Sequence, residues 1–169
     1  MRIMMIGRPG GGKSTFSLKL QALLNVPLYH LDRDFFLGNW VERDHQEFLD
    51  LLQNMVDEEA WIIDGNATQS FEIRYARATH CLYFNFSRLL CCCRVLKRFF
   101  VKDLKIKDRA ENCPERIRLG FLRYIWTFEE RVGAKLEALK LKYPDVQFIE
   151  FRSNRDVEHF QEKLVGAKS

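Results

Sequence analysis

A glycine-rich segment near the start of the chain carries the clearest chemical signal. Its spacing is Gly-x-x-x-x-Gly-Lys-Ser, with an apolar stretch before it and an amphipathic one after it. In this pattern glycines let backbone N–H groups surround a phosphate, the lysine reaches the outer phosphates, and the serine hydroxyl binds Mg²⁺. A helix that starts here adds its partial positive charge. The segment predicts an ATP and Mg²⁺ site formed by Gly7, Pro9, Gly10, Gly11, Gly12, Lys13, Ser14 and Thr15.

Two carboxylates follow the next apolar stretch, in His30-Leu31-Asp32-Arg33-Asp34. The carboxyl ends of parallel strands border the ligand crevice, and in an extended chain Asp32 and Asp34 share a face. Either could accept the proton of a substrate hydroxyl or hold Mg²⁺ through water; the alternative is a pair of solvated turn acids. His30 is more typical of a packing residue at a strand end than of a catalyst.

A third carboxylate ends the stretch Trp61–Asp64. Asp64 is a candidate partner for Mg²⁺, and Gly65 and Asn66 would bring the backbone close to a substrate. Arg74 and Arg77 follow on a short helix, where they either clamp a second anion of the substrate or form a solvated face.

Positive charge is concentrated between Arg88 and Arg123, which hold eleven Lys/Arg and four Asp/Glu, whereas the whole chain has a net charge of +4. Arg94 and Arg98 lie one helical turn apart. The polar segment that follows carries Lys102, Lys105, Lys107 and Arg109. Cations of this kind stabilise a phosphoryl group in transfer, and a closing lid would exclude water. The alternative is a solvated or nucleic-acid-binding face.

Apolar runs that alternate with amphipathic stretches predict an α/β protein with a parallel sheet covered by helices. Expected strands are Arg2–Ile6, Pro27–His30, Trp61–Asp64, His80–Phe86 and Val146–Phe151. Expected helices are Lys13–Leu24, Glu42–Glu58, Ser87–Val101, Pro114–Lys142 and Asp156–Leu164. We expect one domain over residues 1–169, with an acceptor-binding arm at about 32–60 and a lid at about 102–113.

Composition narrows the class of protein. Among 169 residues, fourteen Phe and three Trp argue against disorder, and no apolar run approaches the ~20 residues that span a bilayer. The first residues are too short for a secretory signal, so we expect a cytoplasmic protein that does not contact membranes. The five cysteines lack the spacing of a zinc or redox site and are expected to be reduced thiols.

The sequence resembles the nucleoside monophosphate kinase-like group, which includes adenylate and shikimate kinases, and most closely the bacterial adenylate-kinase-related proteins labelled DNA topology modulation proteins. The residues that carry the resemblance span nearly the whole chain: Gly7–Thr15, Leu28–Asp32, Asn39–Arg43, Trp61–Asn66, Arg94–Arg98 and Cys113–Glu115.

The resemblance implies a P-loop fold, three layers around a five-stranded parallel sheet in the order 2-3-1-4-5. It also implies that Arg94 stacks on adenine, that Arg98 meets phosphates and that Arg152 and Asn154 flank the base. Asp32 and Asp34 match an acidic pair of the shikimate-kinase-like enzymes. In adenylate kinases Phe-Pro-Arg stands where this chain has Asn66-Ala67-Thr68, and Arg109 would replace a lid arginine expected near Ile106.

Two functions follow. The first is a kinase that transfers the γ-phosphoryl group of ATP to a nucleotide or small metabolite. The second is an ATP-binding regulatory protein that influences DNA topology, or binds another macromolecular partner, through Arg88–Arg123. No known DNA-reading motif is present, and aromatics such as Phe121, Tyr124 and Trp126 have the helical spacing of core residues.

Overall fold

A computed structural model describes residues 1–35, 41–100 and 119–166, with the side chains of residues 99 and 100 excepted. The described residues form a sheet of five parallel strands in the order β2-β3-β1-β4-β5, as the resemblance implied. The strands are β1 Arg2–Gly7, β2 Leu28–His30, β3 Trp61–Asp64, β4 His80–Phe84 and β5 Gln147–Phe151. The predicted α/β class and strand order are confirmed.

Helices connect the strands and cover both faces of the sheet. They are α1 Lys13–Leu24, α2 Leu31–Phe35, α3 His45–Asp57, α4 Phe71–Arg77, α5 Arg88–Phe100, α6 Leu119–Lys142 and α7 Asn154–Gly166, with a 3₁₀ turn at Thr68–Ser70. The α3 helix starts three residues later than predicted because the Asp44 side chain caps it, accepting hydrogen bonds from Gln46 N and Glu47 N. The predicted lid lies outside the described residues.

The strand side chains alternate between two apolar cores. Met4 and Ile63 point to the face covered by α3, α4 and most of α6. Ile3 and Ile62 point to the opposite face, where Phe16 of α1 and Val95 of α5 pack. Since successive side chains of a strand point to opposite faces, this burial on both sides fits the unbroken apolar runs of the sequence. The predicted three-layer α/β/α architecture is confirmed.

The cysteines behave as apolar residues where the structure describes them. Cys81 and Cys91 are buried, and burial raises the pKa of the Cys81 thiol to about 12. Cys92 is half-buried and Cys93 is exposed, while Cys113 lies outside the described residues. Within the described part of the chain, no helix combines the length and apolarity needed to span a bilayer.

Candidate active site

The lysine of the phosphate loop is bound to the backbone of the same loop. Lys13 is only 9% exposed, and its Nζ donates to Gly7 O at 2.9 Å and lies 3.5 Å from Arg8 O. The ammonium group is therefore held against the start of the loop, where outer phosphates are expected. An incoming phosphate would replace these contacts, in which only the ammonium is charged, with contacts in which both partners are charged, which are stronger.

Ser14 and Asp64 meet at the carboxyl end of β3. Ser14 Oγ donates to Asp64 Oδ2 at 2.8 Å, and His30 Nδ1 lies 3.3 Å from the same oxygen. The other oxygen, Asp64 Oδ1, is buried and has no hydrogen-bond partner within the described residues. Burial alone would raise the pKa of Asp64, but hydrogen bonds from His30 and Ser14 and the charge of Lys13 hold it below its usual range. The carboxyl group is thus ionised at neutral pH.

This cluster fits a magnesium ion. Mg²⁺ takes oxygen ligands, keeps several waters and needs only one or two protein carboxylates beside substrate phosphates. Ser14 supplies a hydroxyl, and the unpartnered Asp64 Oδ1 is an acceptor that a metal-bound water could satisfy. His30, which the sequence favoured as a packing residue, also hydrogen-bonds to Asp64.

The acidic pair does not have the arrangement expected from the sequence. Leu31–Phe35 is helical rather than extended, and residues two apart on a helix point about 200° apart. Asp32 is exposed. Asp34 is half-buried; burial raises its pKa, although the charges of Arg33 and Arg43 act in the opposite direction. The prediction that both carboxylates share one face is therefore wrong, and they occupy different surroundings.

Asn66 connects the end of β3 to the phosphate loop. Its Oδ1 accepts from Gly7 N at 3.1 Å, and its Nδ2 donates to Gly7 O at 2.8 Å. The sequence placed Asn66 at the substrate. In the structure, its amide fixes the first residue of the loop.

Gly65 is the residue at which β3 must turn. Its φ is +146°, and a Cβ there would lie 2.7 Å from Leu31 Cβ. We expect Gly65→Ala to destabilise the protein by about 2 kcal/mol or more, because strain and a steric clash add. Gly133→Ala is the control, since nothing lies within 4 Å of a Cβ built at that α6 position. Urea unfolding of both variants measures the difference, and equal stability would contradict the prediction.

Arg74 lies beneath the site rather than in it. The side chain is 0% exposed, and its Nε, Nη1 and Nη2 donate to Ser70 Oγ, Gly65 O and Ala67 O at 3.0–3.2 Å. Burial lowers the pKa of this guanidinium to about 10, which leaves it charged at neutral pH. This geometry does not support the predicted contact of Arg74 with a substrate anion. Its guanidinium instead holds the loop that carries Gly65 and Asn66.

Arg77 is also displaced from its expected place. Its Nε donates to Val56 O and its Nη2 lies 3.5 Å from Asp57 Oδ1, so it binds the C-terminal end of α3. That end of α3 precedes β3, so it lies near the amino ends of the strands, whereas the phosphate loop lies at their carboxyl ends. Arg77 therefore does not join the site.

These positions give the two arginines different expected effects on stability. We expect Arg74→Lys to lower the free energy of unfolding by about 2–4 kcal/mol, because a lysine cannot reach all three oxygens and leaves buried acceptors unpaired. Arg77→Lys, in an exposed pair, should cost less than about 1 kcal/mol. Urea unfolding measures both. A weaker effect of Arg74→Lys than of Arg77→Lys would contradict the assignment.

Two of the residues expected at the adenine base, Arg94 and Asn154, are brought together. Arg94 Nη2 donates to Asn154 Oδ1 at 2.9 Å, and its guanidinium lies 5.1 Å from the Phe86 ring centroid. Arg98 follows one turn later on α5 and is half-buried. Arg152 is bound to Glu150 through its Nε and Nη2, both at 3.1 Å. Base contacts of these residues stay predictions, and Lys102, Lys105, Lys107 and Arg109 lie outside the described residues.

Arg8, which sequence reasoning did not select, anchors α6 to the phosphate loop. The side chain is 2% exposed; its Nε donates to Ile125 O at 3.0 Å, its Nη1 to Phe86 O, and its Nη2 lies 3.3 Å from Glu129 Oε2. The sequence offered one clue to this role. Arg8 stands between Gly7 and Pro9, at a position of the loop where phosphate binding does not require an arginine. Its partners are far away in the sequence, so spacing could not reveal them.

Gly10 lets α5 pack directly against the phosphate loop. A Cβ at Gly10 would lie 2.6 Å from Cys91 O and 3.0 Å from a methyl group of Val95, and the residue has φ +83°. The helix backbone therefore packs directly against the loop. Both helices that flank residues 101–118 are thus joined to the phosphate loop.

Comparison with known proteins identifies the fold. No protein-family profile matches the sequence, and no curated protein is significantly similar to it. Among solved structures, shikimate kinase from Bacteroides thetaiotaomicron matches 97% of this chain and 98% of its own, with a TM-score of 0.59 and 20% identity. Deoxyadenosine kinase from M. mycoides, solved with dCMP and dCDP, matches 98% of this chain and 100% of its own, with a TM-score of 0.52 and 14% identity. The chain has the fold of P-loop kinases.

Proposed function

We propose that this protein is a phosphotransferase that moves the γ-phosphoryl group of Mg-ATP to a hydroxyl or phosphate oxygen of a small acceptor. The fold of P-loop kinases is compatible with this activity but does not select an acceptor. The proposal therefore depends on the chemistry of the residues at the carboxyl ends of the strands.

The observation that carries the proposal is the cluster of Lys13, Ser14 and Asp64. At the phosphate loop lie a buried ammonium, a hydroxyl and an ionised carboxylate, one of whose oxygens has no hydrogen-bond partner among the residues that the structure describes. A glycine-rich turn with a purely structural role would not need a carboxylate oxygen left buried without a partner, which costs free energy.

In this mechanism the protein binds and orients rather than reacting covalently. Lys13 exchanges its contacts with the loop carbonyls for the outer phosphates, and the backbone N–H groups of Gly10–Ser14 surround them. Magnesium, held by Ser14 and through water by Asp64, would neutralise the charge on the transferred group. Arg94 would stack on the base, and Arg98 would contact phosphates.

The acceptor would be activated by Asp32 or Asp34. Both follow β2, whose last residue, His30, lies beside Asp64. Asp32 is exposed to solvent. Burial raises the pKa of the half-buried Asp34, which makes it a better proton acceptor than an ordinary carboxylate.

A screen tests the proposal. The protein is mixed with Mg-ATP and a panel of nucleosides, nucleoside monophosphates, shikimate and gluconate, and both melting temperature and phosphorylated product are measured. We expect product from at least one class, dependent on Mg²⁺ and abolished by EDTA. Mg-ATP that neither stabilises the protein nor is consumed would contradict the proposal.

The regulatory alternative gains no support from the described contacts. Arg88 is paired with Glu130 at 3.1 Å, and Arg94 with Asn154, so part of the basic stretch is engaged within the protein. The closer resemblance to DNA topology modulation proteins and the cytoplasmic location stay predictions.

A further inference from the structure

Arg8 belongs to the phosphate loop through its backbone and to neighbouring elements through its side chain. Its backbone N–H donates to Phe84 O at 3.1 Å, and its carbonyl oxygen accepts from Gly11 N at 3.0 Å. Its guanidinium, on a side chain that is 2% exposed, bonds to oxygens outside the loop, including Phe86 O and Glu129 Oε2. The position of the loop is therefore tied to the positions of these partners.

A first series of contacts leads from Arg8 to Arg94. The carbonyl oxygen of Phe86 accepts from Arg8 Nη1, and the Arg94 guanidinium lies 5.1 Å from the Phe86 ring centroid. Arg94 in turn donates to Asn154 Oδ1 at 2.9 Å. Arg94 and Asn154 are both expected at the adenine base. On this side a single residue, Phe86, connects the phosphate loop to the expected base site.

A second series leads from Arg8 to Arg152 through polar groups. Glu129 Oε2 lies 3.3 Å from Arg8 Nη2, and Glu129 Oε1 accepts from Asn85 Nδ2 at 3.3 Å. The same amide donates to Glu150 Oε1 at 2.8 Å, and both oxygens of Glu150 accept from the Arg152 guanidinium at 3.1 Å. Charge-assisted hydrogen bonds, and bidentate ones above all, fix geometry as well as adding energy. Arg152 is also expected beside the base, so this series joins the same two parts of the site.

The two series differ in burial, and burial sets their expected strength. Phe86 is 1% exposed, so the contact of Arg8 with its carbonyl oxygen is shielded from water. The Glu129 side chain is 49% exposed, and ion pairs at such positions contribute little because solvent screens them. We therefore expect the series through Phe86 to have the larger effect.

We infer that Arg8 is a positioning residue for the nucleotide, which sets the spacing between the phosphate loop and the residues that hold the adenine base. It acts through Phe86 and Glu129, since each of its guanidinium nitrogens is already bonded to a protein oxygen. A ligand that binds at two places gains affinity only when the spacing allows both contacts at once. The inference rests on the proposed function, from which it takes the ATP site.

Two ligands that differ only in the nucleoside test the inference. Affinities for Mg-ATP and for Mg-tripolyphosphate, which has three phosphates and no nucleoside, are measured by isothermal titration calorimetry without an acceptor. We expect wild type to bind Mg-ATP at least about tenfold more tightly than Mg-tripolyphosphate, because only ATP engages the base residues and the loop together.

Arg8→Lys keeps the positive charge but cannot bond to all three oxygen partners at once. We expect its affinity for Mg-ATP to fall at least about fivefold and its affinity for Mg-tripolyphosphate to change less than about twofold, because the spacing is lost while the loop and Lys13 remain. Arg88→Lys is the matched control, since the Arg88 guanidinium pairs with Glu130 at 3.1 Å, outside both series. It should match wild type with both ligands.

A substitution at the surface keeps the test decisive if Arg8→Lys does not fold. Glu129→Gln removes the charged partner of Arg8 from an exposed position, and Glu130→Gln, one residue further on α6, is its control. We expect Glu129→Gln to weaken Mg-ATP binding by about two- to fivefold and to leave Mg-tripolyphosphate binding unchanged. Glu130→Gln should change neither.

A double-mutant cycle tests whether Arg8 acts through Arg94. Arg94→Met removes the guanidinium expected to stack on the base. If Arg8 positions that group, the losses of Mg-ATP affinity in Arg8→Lys and Arg94→Met should be less than additive in the double variant. Additive losses would overturn the connection through Phe86.

The outcomes separate this inference from the function on which it rests. Equal losses for both ligands in Arg8→Lys, with a lower melting temperature, would show a purely structural role and overturn the inference. No selective loss in either Arg8→Lys or Glu129→Gln would also overturn it, as would a wild type that binds tripolyphosphate as tightly as ATP. The expected pattern of affinities without transfer to any acceptor would contradict the proposed function and leave the role of Arg8 intact. Binding of neither ligand would contradict both.

Discussion

Replacing Lys13 with alanine is expected to abolish phosphoryl transfer while leaving the fold intact. The ammonium group is the cation that the structure holds inside the phosphate loop, at 2.9 Å from Gly7 O. Its removal takes away a preorganised charge at the place where the transition state develops negative charge. Losses of this kind are about 10²–10³ in kcat for one electrostatic donor.

Stability should change little in the same variant. The Gly7 carbonyl keeps a hydrogen bond from Asn66 Nδ2 when the lysine is removed, so it is not left unpaired. Lys19→Ala, an exposed position on the same helix, serves as the matched control. A coupled assay with the acceptor found in the screen measures turnover, and urea unfolding measures stability. Unchanged turnover of Lys13→Ala would rule out the proposed mechanism.

Asp64→Asn should have the second largest effect, and it should change the dependence on magnesium. Asparagine has nearly the same shape as aspartate, but it lacks the negative charge and one of the two acceptor oxygens. We expect kcat to fall by about 10² or more and the Mg²⁺ concentration for half-maximal activity to rise, because the site no longer attracts the metal and its waters. Activity is measured over a magnesium titration at saturating ATP.

The control for this variant is Asp145→Asn, which removes a carboxylate of an exposed residue between α6 and β5. Ser14→Ala provides a further test, since Ser14 and Asp64 are bonded to each other and are proposed to serve one metal. Their effects on the magnesium midpoint should therefore not be additive. A magnesium midpoint in Asp64→Asn equal to that of wild type would exclude Asp64 from the metal site.

The sequence was sufficient for those parts of the fold and site that depend on local pattern. Apolar runs located the strands, and the carboxyl ends of parallel strands meet at one edge, which is why Ser14 and Asp64 could be expected together. The phosphate loop was recognised because its spacing is tied to the contacts that it makes. The strand order came from the resemblance to known kinases.

Long-range contacts were beyond the reach of the sequence. Leu31–Phe35 is too short for a helical periodicity to show, so Asp32 and Asp34 were expected on one face of an extended chain. Arg74 was expected at a substrate because an arginine after a strand end looks the same whether it faces solvent or is buried.

The contact between Gly10 and α5 has a consequence for the evolution of this protein. A side chain at position 10 would meet the Cys91 carbonyl at 2.6 Å, and no change of residue type can remove a backbone carbonyl. A mutation at Gly10 could therefore be tolerated only with a shift of the whole helix, which carries Arg94 and Arg98. Position 10 is expected to remain glycine in descendants that keep this helix in place, while α5 can vary on its exposed side, where Leu89 and Cys93 lie.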